Sequence, residues 1–410
     1  MTDTNIQLWR EDPRFQDPTL ASINEEKRPN KARKFAHDDA SEGPEIIILA
    51  FSKEPKTTPE PWNNIIQNVV LHVQEELNCQ RSQQYVSTRY LDHHAHELDT
   101  DAPSRVVEFS IPLILAERVE EKNKKFHDPM TLQQCTALGN TPSFKGLQSQ
   151  HGVELVLQPS ELYQLHRAPG LALFDMDSTL IQQEVIDELA RAVGLYDQVA
   201  AITEAAMRGE APYTDFETSL RARVGLLKGV PTDIWDQMKD GIISLTPGAK
   251  ELLRVLKVLG WKTAVLSGGF TPLANWVKET LGLDYAFANH LAADEVQKCL
   301  TGELVAEMPI IHAERKRELL TQLAAENGIP AERIIAVGDG SNDLPMMHAA
   351  GLGIAFNAKP KVQTAAPSRI NTKGLLDVMH VLGYSSEEVE GMLAKEMLMR
   401  NGTYQMRKLP

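Results

Sequence analysis
The sequence predicts an α/β protein: a doubly wound parallel sheet with a helical cap, preceded by a small α+β domain. Three observations carry this prediction. Short apolar runs at residues 171–174, 262–266, 334–337 and 353–356 alternate with helical patterns around 272–281, 313–326 and 344–350. Strands separated in this way by helices form parallel sheets covered on both faces. Between the first two runs, residues 182–246 are largely helical by pattern and too long for an ordinary connection, which makes them a cap over the strand ends. Upstream, strand and helix patterns follow the order βαββαβ of a ferredoxin-like unit.

Taken in order, residues 1–43 are polar with mixed charge and read as a mobile arm. The basic run at 27–34 is flanked by Glu25, Glu26, Asp38 and Asp39, so it reads as a solvated tail and not as a nucleic-acid patch. A small α+β domain is expected over 44–160. It opens with a buried-strand pattern at 45–51 and a helix over 62–77 that carries Ile65, Ile66, Val69, Val70 and Val73 on one face. Strand-like runs at 84–91 and 106–112, a helical stretch around 130–138 and a strand at 153–157 complete it. Its topology resembles the small ACT-type regulatory domains attached to amino-acid enzymes, and a packing or oligomerisation module is the alternative. The core with its cap spans 165–384, and residues 287–305 read as a hairpin beside it. The last segment, 385–410, opens with Ser385-x-x-Glu388, a capping-box pattern that predicts one more helix. His93, His94 and His96 sit among Asp92, Glu97, Asp99 and Asp101, where a solvated loop is the better reading than a metal tract.

The totals narrow the partners. A chain of 410 residues has room for two domains. Its net charge of -14 argues against general nucleic-acid binding. No apolar run is long enough to span a bilayer, and the first residues carry no secretory pattern, so no membrane partner is expected. Cys79, Cys135 and Cys299 lie far apart without a Cys-x-x-Cys, as expected of reduced thiols in a cytoplasmic protein.

Four features at predicted strand ends or helix starts define a site. Asp175 and Asp177 stand one residue apart where an apolar strand ends, so they leave the sheet on the same side. One carboxylate there can attack or bind a cation while the other handles a proton. Ser267-Gly268-Gly269 follows a second strand, where a hydroxyl and glycines let the backbone approach an anion. Lys316 lies near the start of a helix. The third strand ends in Gly338-Asp339-Gly340-Ser341-Asn342-Asp343, and Asp339 and Asp343 are too many charges to gather without a cation.

These features, in this order, resemble the haloacid-dehalogenase-like (HAD) phosphotransferases. The resemblance implies that Asp175 attacks phosphorus and that Asp177 protonates the leaving oxygen and then activates water. It implies that Ser267 and Lys316 hold phosphate oxygens. It gives one Mg²⁺ held by Asp175, Asp339 and the main-chain carbonyl of Asp177, with Asp343 orienting Lys316 or the metal shell. Glu184, the stretch 204–209, the stretch 216–224 and Leu281–Asn289 look like the cap of the phosphoserine phosphatases. That closer likeness implies a substrate, O-phospho-L-serine, whose ammonium meets Glu184 and whose carboxylate meets Arg223. Met207 and Phe216 would close the pocket, and Gly268 and Asn342 would contact the phosphate. An Arg fork suits a carboxylate on general grounds. Another small phosphomonoester as substrate, or a regulatory protein with a vestigial site, are the alternatives. The small domain is expected to bind serine as a feedback ligand, to form a homodimer, or both.

Overall fold
In the computed structural model, residues 45–56, 60–78, 87–92, 103–113 and 130–400 are described. The expected N-terminal arm, its basic run, Cys79 and the three histidines at 93, 94 and 96 lie outside them. β1 (Glu45–Lys56) opens with apolar residues from Ile46 to Phe51, all buried. A strand that is apolar on both faces must be covered on both. Ile46, Ile48 and Ala50 pack with Trp62, Val69, Phe109 and Phe144, under the small domain's own helices Glu60–Glu76, Leu132–Gly139 and Pro142–His151. Ile47, Leu49 and Phe51 face the other way, into the large cluster that also holds Met379, Val381 and Leu382. β2 (Thr88–Tyr90), β3 (Ser104–Pro112) and β4 (Val153–Pro159) complete an antiparallel sheet in the order β2-β3-β1-β4. The helix expected near 130–138 is Leu132–Gly139, and a second helix that was not expected, Pro142–His151, follows it because Thr141 and Pro142 cap and restart the chain.

The chain continues through β5 (Leu171–Phe174), β6 (Lys262–Phe270), β7 (Tyr285–Asn289), β8 (Leu291–Asp294), β9 (Cys299–Leu304), β10 (Ile334–Gly338), β11 (Leu352–Phe356) and β12 (Ser368–Ile370). Six of these form one parallel sheet, β12-β11-β10-β5-β6-β7. The hairpin expected over 287–305 is corrected here. Phe287 belongs to β7, at the edge of the parallel sheet, and the hairpin is β8–β9 alone. Periodicity cannot distinguish these, since an edge strand and a hairpin arm are both short apolar runs.

The connections leave β5 toward β6 and β7, then return to its other side at β10. The strand order therefore reverses between β5 and β10, which is where open α/β sheets bind ligands. The segment between β5 and β6 forms the helices Val185–Ala192, Tyr196–Arg208, Phe216–Gly225 and Ile234–Gln237. It leaves and re-enters the core side by side, through a bridge between Ile181 and Leu245. The β8–β9 hairpin ties to this cap: the Gly229 N–H donates to the Leu300 carbonyl, and the Leu300 N–H to Val230, both at 2.8 Å. Among the described residues, no helix is long and apolar enough to cross a membrane.

Candidate active site
Asp175 sits one residue past β5, its N–H on the Val337 carbonyl of β10 at 2.9 Å. A neighbouring strand thus sets the position of its backbone. The Met176 N–H donates to Asp175 Oδ1 at 2.7 Å, and Lys316 Nζ reaches the same oxygen at 2.8 Å. The chain then makes a tight turn over Met176–Leu180 in which Ser178 takes a left-handed φ of 54°. A non-glycine residue there costs free energy that the surroundings must offset. The Ser178 N–H on the Gln183 carbonyl (3.2 Å) and its hydroxyl on Glu184 (2.8 Å) do so. This turn brings the Asp177 carboxylate to the Val185 N–H, at 3.1 Å, at the start of the first cap helix.

Lys316 reaches the site because its helix, Ala313–Asn327, buries the stripe 316, 319, 320 and 323. Arg315 and Arg317 pair at the surface with Glu318 and Glu314, while Lys316 is fully buried with Nζ 2.7 Å from Asp343 as well. A lone cation within an apolar stripe is a signal for burial that its place near a helix start does not give. Asp343 ends a short helical turn, Ser341–Asp343, and its second oxygen accepts from the Gly340 N–H at 3.0 Å. Gly338 permits this approach, since a Cβ there would lie 2.4 Å from Asp343 Oδ2. One oxygen from each of Asp175, Asp339 and Asp343 lies within 4.8 Å of the others. The Thr179 hydroxyl contacts Asp339 at 3.5 Å, a neighbour to which the sequence reading assigned no role.

The charges are unequal. Burial lifts the Asp339 carboxyl to about 8, with Asp175, Asp343 and Glu184 adding to it. Burial and then Asp175 lift Asp343 to about 7, against the pull of Lys316. Burial works against the Lys316 ammonium, but Asp175 and Asp343 outweigh it and hold the pKa above the ordinary lysine value. Burial, followed by Glu184 and Asp175, drives Asp177 well above the carboxylate range. One ammonium does not balance this many carboxylates, so the cluster favours a further cation. Its all-oxygen donor set suits a hard divalent ion. The residues present therefore fit a metal of that kind.

The remaining expected residues spread around this cluster. Ser267 is buried, and its hydroxyl accepts from the Gly269 N–H at 2.8 Å. Phe216, first in its cap helix, packs over Gly268, where an added Cβ would lie 3.5 Å from the ring. Glu184 precedes the first cap helix. Arg223 is half-buried and donates from Nε to the Ser219 carbonyl at 3.2 Å. Burial lowers its pKa, with Asp187 and then Glu184 opposing. Asn342 lies beside Asp343 in the β10 loop. Met207 is 66% exposed near the end of helix Tyr196–Arg208.

A family profile described as haloacid dehalogenase-like hydrolase matches residues 170–351. This defines the class, a haloacid dehalogenase-like hydrolase, and the matched span contains the acidic cluster of Asp175, Asp339 and Asp343. The chain is 46% identical over 239 residues to the phosphoserine phosphatase of Streptomyces coelicolor, covering 58% of this chain and 56% of that one. To the phosphoserine phosphatase of Idiomarina loihiensis it is 47% identical over 221 residues, covering 54% of this chain and 97% of that one. A crystal structure of a HAD family hydrolase from Salmonella enterica serovar Typhi shares 30% identity and a TM-score of 0.60, over 83% of this chain and 98% of that one. The chain belongs to the phosphoserine phosphatase family of haloacid dehalogenase-like hydrolases.

Proposed function
We propose that the protein hydrolyses O-phospho-L-serine to L-serine and phosphate, the last step of L-serine biosynthesis, through a phospho-aspartate on Asp175. The observation that carries the chemistry is the contrast between two carboxylates at one strand end. Asp175 pairs with the Lys316 ammonium, whereas Asp177 is driven toward its neutral form. Environments that differ in this way divide acid from nucleophile.

Asp175 attacks phosphorus. Both of its protein contacts fall on Oδ1, which leaves Oδ2 to form the new bond. Asp177 gives its proton to the departing seryl oxygen and then takes one from the water that releases phosphate. Lys316, the Ser267 hydroxyl, the Gly268 backbone and Asn342 hold the phosphoryl oxygens as charge builds on them. Asp175, Asp339 and the Asp177 carbonyl would hold Mg²⁺, with Asp343 steadying Lys316. A bound divalent ion supplies positive charge that offsets the repulsion between carboxylate and phosphate. Glu184 faces the substrate ammonium and Arg223 its carboxylate, with Phe216 and Met207 as the apolar cover.

Phosphate release from O-phospho-L-serine, beside phosphothreonine and phosphoethanolamine, with and without Mg²⁺, tests this reading. The expected result is metal-dependent turnover with a strong preference for phosphoserine. Equal rates on phosphoethanolamine, which has no carboxylate, would overturn the substrate assignment. For the small domain we propose a serine feedback site and a homodimer contact; inhibition by added L-serine tests the first and mass in solution the second. We place the protein in the cytoplasm, which fractionation with a marker enzyme would check.

A further inference from the structure
We propose that Asn289 is a positioning residue that sets the phosphate-binding loop after β6; the inference rests on the reading of Ser267 and Gly268 as phosphate ligands. Asn289 ends β7 and is 1% exposed. β6 and β7 pair in parallel as far as Leu266 with Phe287, then resume at Phe270 with Asn289. Four steps along β6 therefore match two along β7, and Ser267-Gly268-Gly269 bulges out of the ladder. A bulge leaves buried main-chain groups that need partners from elsewhere.

The Asn289 side chain supplies them. Its Nδ2 donates to the Gly268 carbonyl at 2.8 Å. Its Oδ1 accepts from the Ile311 N–H at 2.8 Å. The Thr271 hydroxyl donates to the Asn289 carbonyl at 3.0 Å, which fixes the residue from behind. In a planar peptide the carbonyl and the following N–H point in opposite directions. Holding the Gly268 carbonyl on Asn289 therefore turns the Gly269 N–H the other way, onto Ser267 Oγ. With Oγ accepting from that N–H, the Ser267 hydroxyl proton is free to donate to an oxyanion. The second arm of Asn289 holds Ile311, the residue before His312, which caps the Lys316 helix. One buried amide thus sets the distance between the loop bearing Ser267 and the helix bearing Lys316.

The test uses the full-length enzyme and inorganic phosphate as a competitive probe. Asn289→Asp keeps the acceptor for Ile311 and removes the donor to Gly268, and Ser267→Ala removes the hydroxyl it positions. Each is expected to raise the inhibition constant for phosphate about tenfold, equally whether phosphoserine or an aryl phosphate is turned over. The double variant is expected to be no weaker than Ser267→Ala alone, because both changes remove one interaction. A residue that only supports the fold would lower the melting temperature and leave the phosphate constant unchanged. Wild-type phosphate inhibition in Asn289→Asp, or fully additive effects, would overturn the proposal. If Ser267→Ala itself leaves phosphate binding unchanged, the reading of the loop fails and this inference falls with it. Should Asn289→Asp not fold, Asn289→Ser supplies the same cycle with a smaller side chain.

Discussion

At the scale of single residues, Asp175 can be tested for chemistry apart from stability, because its buried partner Lys316 also pairs with Asp343. Asp175→Asn keeps the shape and loses the nucleophile. Turnover is expected to fall by at least about a thousandfold while circular dichroism and the melting temperature stay near wild type. A variant of near-wild-type rate would remove the nucleophile assignment. Arg223→Ala addresses recognition instead. Its KM for phosphoserine is expected to rise by about 10- to 100-fold, the worth of a charged hydrogen-bonded contact, with the KM for an aryl phosphate little changed. Equal effects on both would count against carboxylate binding. His166 lies outside the site and is fully buried, and burial lowers its pKa to about 4, with the Glu332 main chain opposing. Above pH 6.5 the ring is neutral folded or unfolded and contributes nothing. As the pH falls from 6.5 to 4 the unfolded chain takes up a proton that the folded one refuses, so stability drops, by about 3 kcal/mol in full. Urea unfolding of wild type beside His166→Gln at pH 7.5 and pH 4.5 is expected to show most of that loss in wild type alone. Parallel changes in the two proteins would exclude His166 as its source.

At the scale of elements, the last helix shows a local signal carried into the structure. Ser385 and Glu388 form the reciprocal cap that their spacing predicts: the Ser385 N–H donates to Glu388 at 2.8 Å and the Glu388 N–H to the Ser385 hydroxyl at 3.2 Å. The helix Ser386–Arg400 then docks through its partners. The Ser386 N–H meets the Leu91 carbonyl at 2.7 Å, and Arg254 of the helix Ala249–Val258 pairs with Glu396. Ser385→Ala is expected to cost about 1 kcal/mol without altering kcat, as measured by chemical denaturation beside an activity assay. An unchanged midpoint would show that docking alone holds the helix end. Helix 62–77 and strands 171–174 and 334–337 were legible for the same reason: the period of their apolar residues is local information. β7 was misjudged because it is a short strand at the sheet edge, and only its pairing with β6 separates it from the hairpin that follows.

At the scale of the whole molecule, the central strand β1 of the small α+β sheet is buried on both faces among the described residues. The small domain's own helices cover one side. Ile47, Leu49, Phe51, Leu91, Val106 and Val156 bury the other in the cluster shared with Met379, Val381 and Leu382. Six such side chains bury about 1.5–3 kcal/mol each, more than a typical margin of stability can lose. Polar ties cross the same seam: Arg105 to Asp377 at 2.7 Å, Arg369 to Glu154 at 3.2 Å, and the Gln158 amide to the Val381 carbonyl at 2.9 Å. We expect a single calorimetric transition in which van't Hoff and calorimetric enthalpies agree. Two resolved transitions would show that the sheet and the core unfold independently. Sequence alone determined the parallel core, the inserted cap, the strand ends that carry Asp175, Ser267 and Asp339, and the capped last helix. Each of these is written in spacing along a few residues. Tertiary structure decided what depends on distant segments meeting: the register that bulges Ser267 out of β6, and Asn289 bridging that bulge to Ile311. The same holds for Lys316 bonded to both Asp175 and Asp343, and for the small sheet sealed against the core. Those outcomes follow from hydrogen-bond completion and close packing between parts of the chain far apart in sequence, which local periodicity does not record.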